Sequence, residues 1–180
     1  YQLQNKGIDS YAFDYEALAR YLVDKKELVF VKFYCAKFPA AIDQVRHNRD
    51  DALFTHLKSK QQLVVLEGNY KYDPENLHYP PKEKGVDVLL ATDLLFDGIM
   101  NTYDRAYVIS DDSDIIPAIK KLAGYTRSIE IFQATFAPKR EWKSVCKGIV
   151  QLYPNKVKKF SCQVAPTAAT LDDLANKFKK

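Results

Sequence analysis

The chain has 180 residues, of which 47% are hydrophobic, 28% charged and 13% aromatic. That is globular composition with enough chain for one sizeable core, and it excludes a membrane span, because no uncharged apolar run is long enough for one. A net charge of +4 and a pI of about 8.8 are mildly basic, which suits a polyanionic partner without proving one.

The predicted elements alternate. Asp14 to Asp24 has helical spacing, with Tyr15, Leu18, Ala19 and Leu22 on one face and Asp14 as the cap. Leu28 to Cys35 reads as a buried strand. Ala41 to Lys60 reads as a long polar helix with Val45, Leu53 and Leu57 on its apolar side, and Gln62 to Leu66 as the next strand. Glu67 to Lys82 is proline- and glycine-punctuated and reads as a loop. It interleaves Tyr70, Tyr72 and Tyr79 with Lys71 and Lys82. Aromatics and cations in such a loop suit single-stranded nucleic acid, and Lys71, Tyr72 and Lys82 are the expected contacts; a packed loop is the equal alternative.

Val86 to Met100 reads as a helix with Val88, Ala91, Leu95 and Ile99 on one stripe. Tyr107 to Ile109 and Ile129 to Phe132 read as strands flanking a helix from Ile115, with Pro117 near its start and Gly124 just past its end. Strand–helix–strand alternation predicts an α/β fold with a central, mostly parallel sheet and helices on both faces. Gln163 to Thr170 reads as a linker, and Thr170 onward as a capped basic helix, so the chain divides into a domain over 1–160 and a tail over 161–180.

Cys35, Cys146 and Cys162 form no zinc pattern and no disulfide framework, which points to a reducing, cytoplasmic setting. His47, His56 and His78 lack metal-ligand spacing. There is no glycine-rich phosphate loop and no Gly-x-Ser-x-Gly elbow, which disfavours nucleoside triphosphate hydrolysis and serine-nucleophile chemistry.

One loop concentrates charge: Ser110-Asp111-Asp112-Ser113-Asp114, between an apolar strand and a helix. Like charges this close disfavour full ionisation unless a cation sits among them. Asp and Ser are also ordinary helix caps, so this segment alone is balanced between a cap and a metal loop. A second acidic segment, Lys84-Gly85-Val86-Asp87-Val88-Leu89-Leu90-Ala91-Thr92-Asp93, opens the preceding helix. Asp87 there reads equally as a helix cap, and Asp93, six residues on, lies on another line of the helix.

Taken together, Lys-Gly-Val-Asp-Val-x-Leu-Ala-x-Asp and, about twenty residues on, Tyr-Val-x-Ser-x-Asp-Ser-Asp-x-x-Pro closely resemble the NYN domain family of PIN-like, metal-dependent ribonucleases, including LabA-type and DUF88-type proteins. The resemblance runs from about Tyr11 to about Val150. It implies a three-layer PIN-like (Rossmann-like) fold, RNA phosphodiester hydrolysis with Mg²⁺ or Mn²⁺, an RNA partner and no membrane, with a homo-oligomer as an open option. It implies Asp87, Asp112 and Asp114 as catalytic metal ligands, with Asp111 as an added ligand. Ser110, Ser113, Asp93 and Lys84 would support them. Two departures stand out. Asp111 replaces a family glycine, and the Asp-Gly-x-Asn motif that ends the family's first strand has no counterpart near Tyr1; Asp9 does not match its context. The expectation is that this first strand and one catalytic acid lie upstream of the chain.

Two rival readings remain. Leu63 to Gly68 ends in Glu-Gly, similar to the Toprim pattern, with Glu67 acting beside Asp112 and Asp114. A PIN-like domain short of one acid would instead bind RNA or a protein without cleavage.

Overall fold

Parallel strands form two separate ladders in the computed structural model, which describes residues 3–76 and 79–162. Strand β1 (Val31–Cys35) pairs in parallel with β2 (Leu63–Glu67). Strands β5 (Arg105–Val108), β6 (Glu130–Thr135) and β7 (Gly148–Gln151) form a parallel sheet with β6 in the middle. Between them in sequence, β3 (Asn69–Lys71) and β4 (Lys82–Lys84) make a small antiparallel sheet. The fold is therefore α/β with parallel strands and intervening helices, as expected, but its hydrogen bonding is divided where one continuous sheet was predicted. Side chains join the two parallel ladders. Tyr15 stacks edge-on to Phe33 of β1 at 4.7 Å and also packs in the cluster that contains Tyr107 of β5. Phe30 meets Tyr103 at 6.4 Å.

Helix α1 (Tyr15–Val23) is capped as predicted, with the Asp14 carboxylate accepting from the Ala17 N–H at 2.9 Å, and it buries Leu18 and Leu22. Helix α2 (Gln44–Lys58) buries Leu53, Phe54 and Leu57 against β2, but Val45 is 72% exposed. Its first turns are instead held by polar contacts: buried Asp50 accepts from Tyr11 Oη at 2.6 Å and from the Phe38 N–H at 2.8 Å.

Helix α3 (Val86–Ile99) corrects the predicted stripe. Val88 is 68% exposed, whereas Leu94 and Gly98 are buried. A polar contact sets this rotation. Lys32 of β1 reaches Asp93 at 2.9 Å and Asp97 at 2.6 Å, and Tyr34 Oη donates to Asp93 at 3.1 Å. Asp93 and Asp97, four residues apart, share one line of the helix. That line faces β1.

Helix α4 (Ile116–Tyr125) starts with Pro117 in its first turn, as predicted. Gly124 lies inside it rather than past its end, and extended Thr126 terminates the helix. Ile119, Leu122 and Ile131 of β6 form its core with Trp142 of the short helix α5 (Arg140–Lys143). A last short helix, α6 (Pro154–Val157), buries Val157. Beyond it, Ser161 bridges Phe13 and the Cys162 N–H donates to the Ala12 carbonyl at 2.9 Å, which ties this segment to the residues just before α1. The predicted linker and basic helix over 163–180, and His78, lie outside the described residues.

Replacing Lys32 with Ala leaves two half-buried carboxylates facing each other without a cation. The expected cost is about 2 kcal/mol of unfolding free energy, read from urea denaturation; an unchanged midpoint would show that the pair does not hold α3.

Candidate active site

The acidic loop emerges from the carboxyl end of β5, where open α/β sheets place their sites. Two buried side chains of β6 hold it from below. Gln133, with no exposed surface, donates through Nε2 to the Ser110 carbonyl at 2.8 Å. Thr135, equally buried, donates through Oγ1 to Asp111 Oδ1 at 2.5 Å and accepts from the Ala137 N–H at 3.1 Å. Lys139 donates to the Asp111 carbonyl at 2.8 Å. Register explains the match: Val108, the last residue of β5, lies opposite Gln133, so the loop is laid across the next residues of β6.

These contacts separate the acids. One oxygen of Asp111 is turned onto β6, where it anchors the loop. Asp112 turns the other way and caps the 3-10 turn Ser113–Ile115, its Oδ1 accepting from the Asp114 N–H at 2.8 Å. Ser110 Oγ accepts from the Asp112 N–H at 3.1 Å and shapes the turn.

Asp87 is brought to this loop by α3. It stands in the first helical turn, with Gly85 and not Asp87 at the cap position. Gly85 takes φ +85°, a left-handed conformation that a side chain would strain. A Cβ on Gly68 would fall 2.6 Å from the Lys84 carbonyl, so glycine is also needed where β3 passes the start of α3. The Asp87 carboxyl is held above the usual carboxylate range, first by desolvation and then by the charges of Asp112 and Asp114. The charges of Asp112 and Asp114 thus reach Asp87, in keeping with the contact between α3 and the 3-10 turn that opens at Ser113.

The other predicted residues fall elsewhere. Asp93 lies on the Lys32 line of α3, engaged with Lys32 and Tyr34. Glu67 of the Toprim-like reading pairs with Lys58 at 2.6 Å. Lys84, Lys71 and Lys82 are exposed on the small antiparallel sheet, whose first strand lies within the segment predicted to be a loop. Tyr72 follows that sheet's first strand. Glu83 is a residue the sequence reading missed. Its carboxyl is also pushed up, first by desolvation and then by the charge of Asp87. Its signal was the alternation Lys82-Glu83-Lys84, which puts Glu83 on the opposite face of a strand from its neighbours.

Among the described residues, no three acids, histidines or cysteines stand close enough to enclose a metal ion by themselves. The donor chemistry nevertheless suits a hydrated hard cation, which binds through one or two carboxylates and keeps several waters. Carboxylates whose mutual repulsion raises a proton affinity are also those a cation relieves.

The chain matches the family model for the NYN domain over residues 2–152. No curated protein and no solved structure matches it. Among the described residues, no helix is long and apolar enough to cross a membrane.

Two tests follow from the geometry. Because the folded-state pKa of Asp87 is raised, its contribution to stability is present below the unfolded carboxylate range and is lost as pH rises through the folded value. Asp87→Asn is therefore expected to melt above the parent chain at neutral pH, with the gap closing in acid. Calorimetric scans across pH check this, and a lower melting temperature at neutral pH would contradict it. Thr135→Val removes the donor to Asp111 and the acceptor for Ala137, at an expected cost of about 1.5 kcal/mol in chemical denaturation. With most of the chain covered by the match, this protein belongs to the NYN domain family, whose members are generally nucleases.

Proposed function

We propose that this NYN domain is a ribonuclease that uses Mg²⁺ or Mn²⁺ to hydrolyse RNA phosphodiester bonds at the mouth formed by Asp87, Asp112 and Asp114. The observation that carries the reading is the shared field of these carboxylates: Asp87 is perturbed by two acids of a loop 25 residues away, at a strand end, in a family of nucleases. Acids brought together at a cost to their ionisation mark functional sites more often than structural ones.

The residues take distinct roles. Asp87 approaches from α3 and Asp112 and Asp114 from the loop, so a cation would be held from two sides of the mouth. When bound, such a cation supplies an acidified water and neutralises charge that builds on the phosphate. Asp111, with Thr135 and Lys139, fixes the loop backbone against β6. Ser110 orients the Asp112 amide, and Ser113 opens the turn that Asp112 caps. Asp93 sets the rotation of α3 through Lys32 and acts on the site only by placing Asp87. Lys84, three residues before Asp87, is the nearest cation in sequence for a scissile phosphate.

The test is cleavage of a labelled single-stranded RNA with Mg²⁺ or Mn²⁺ and with EDTA. Asp87→Asn and Asp112→Asn are each expected to lower the metal-dependent rate by roughly a hundredfold or more while the far-ultraviolet circular dichroism stays unchanged. Undiminished cleavage by both variants would remove the assignment. RNA binding without metal-dependent cleavage by the parent chain would leave a binding module in its place.

A further inference from the structure

We infer that one face of the small antiparallel sheet, carrying Lys71, Lys82 and Lys84, is a binding surface for the phosphate backbone of single-stranded RNA. The inference rests on the ribonuclease reading for its choice of ligand, and it adds where the substrate is held outside the acidic mouth.

Register carries the argument. Lys71 stands directly opposite Lys82, and Asn69 opposite Lys84. Residues opposite one another in an antiparallel pair share a face, with Cβ atoms roughly 5 Å apart. Lys82 and Lys84, two apart on one strand, share that face too. Three lysines and an asparagine are thus gathered on one side, all exposed. The other side carries Tyr70 and Glu83. Tyr70 meets Phe38 edge-on at 5.3 Å, and the Arg46 guanidinium lies 3.9 Å from the centre of that Phe38 ring. Tyr70 is thus half-buried on the inward face while Glu83 beside it stays exposed, and the lysine face is turned out.

This arrangement is unfavourable for the protein alone. Like charges directly across a ladder destabilise it, and a two-stranded sheet of three residues has little stability to spare. Some lysines of the chain are paired with acids, Lys58 with Glu67, Lys37 with Asp51 and Lys32 with Asp93 and Asp97, and others are not; what sets this face apart is that its lysines stand across a ladder from one another. Among the described residues, no carboxylate lies within ion-pair distance of Lys71, Lys82 or Lys84. Lysines do guard exposed sheet edges against aggregation, but a single one suffices for that, and an opposed pair works against the ladder it guards. A polyanion lying along the face reverses the sign of that interaction.

Two exposed rings flank the lysines and select the single strand. Tyr72 follows Lys71 directly, and Tyr79, 67% exposed, precedes Lys82 by three residues. Unpaired bases stack on such rings, whereas a duplex keeps its bases inside.

Binding is measured by fluorescence anisotropy, with the chain titrated into a labelled single-stranded RNA of about a dozen nucleotides. EDTA is present throughout, and the salt concentration is varied. Lys71→Glu is expected to weaken binding about tenfold at low salt and to flatten the plot of log affinity against log salt by roughly one unit. The same substitution places opposite charges across the ladder, so its melting temperature stays level or rises. Tighter folding with weaker binding is a combination that a purely structural lysine does not produce. Tyr72→Ala with Tyr79→Ala is expected to weaken the single strand severalfold and to leave a duplex unaffected. Unchanged affinity and salt slope in Lys71→Glu would overturn the lysine face, and equal binding of duplex and single strand would overturn the preference for unpaired RNA. Asp87→Asn separates the two readings. If it and Asp112→Asn both cleave undiminished, the assignment of the mouth fails while the EDTA result stands; if Lys71→Glu binds normally, the lysine face fails while the cleavage result stands.

Discussion

The grip of Lys32 on Asp93 and Asp97 is the contact on which the site depends. Helix α3 is apolar around nearly all its circumference, so burial alone would accept several rotations. A half-buried ammonium between two carboxylates accepts one. It draws the line of Asp93 and Asp97 onto β1. Asp87, six residues earlier, is then turned roughly 120° around the axis from Asp93, toward the acidic loop. A contact about two helical turns from Asp87 thereby helps set the direction from which α3 presents it to the acidic loop. It also explains why α3 leaves Val88, Phe96 and Met100 on the surface.

The opposite principle governs the mouth. Lys32 neutralises acids that serve architecture, whereas the acids of the mouth face one another. Asp87 and Glu83 are both pushed toward protonation by burial and by neighbouring carboxylates. The fold tolerates this because the repulsion is localised. Below it lie Gln133 and Thr135, fully buried on the central strand of a parallel sheet, which fix the loop through its backbone and through Asp111. Asp111, standing where the family has glycine, replaces backbone freedom with a side-chain anchor. Its polar partner is Thr135, so the two positions are expected to work as a unit.

The alternation of strands and helices, the Asp14 cap and the position of the acidic loop could all be read in the sequence, because each depends on local chemistry. The phase of α3 could not. Its apolar residues recur on every side, so periodicity has no preferred face, and the deciding partner is 61 residues away in sequence. The antiparallel pair within Glu67–Lys82 was missed because lysine and asparagine are poor strand formers and ten residues separate its strands. Division of the parallel ladders was equally hidden, since pairing is a long-range property and the aromatic contacts of Tyr15 and Phe30 that bridge the gap carry no periodic signal. For the site, the two motifs pointed to Asp87, Asp112 and Asp114 as candidates, and hydrogen bonding sets Asp111 and Asp93 apart from them, on Thr135 and on Lys32.

A cluster of carboxylates poses a difficulty for any enzyme of polyanions, because the groups that hold a cation also repel the substrate. Two unit charges 4 Å apart repel by about 4 kcal/mol at an effective dielectric near 20. The cation offsets part of that at the reacting phosphate, but its influence beyond the mouth is screened within about 10 Å. Neighbouring phosphates of a strand must therefore find positive charge on the protein. On the proposed reading the chain supplies it where the covalent path is shortest: Lys84 and Lys82 stand on the strand that leads through Gly85 into the turn bearing Asp87, and Lys71 lies opposite Lys82. Alternation along β4 lets one three-residue strand carry both signs, with Glu83 on the face toward Phe38 and the lysines on the other. On the proposed reading, the acids of the mouth and the lysines of the small sheet are two halves of one arrangement, the first relieved by a cation and the second by the RNA backbone.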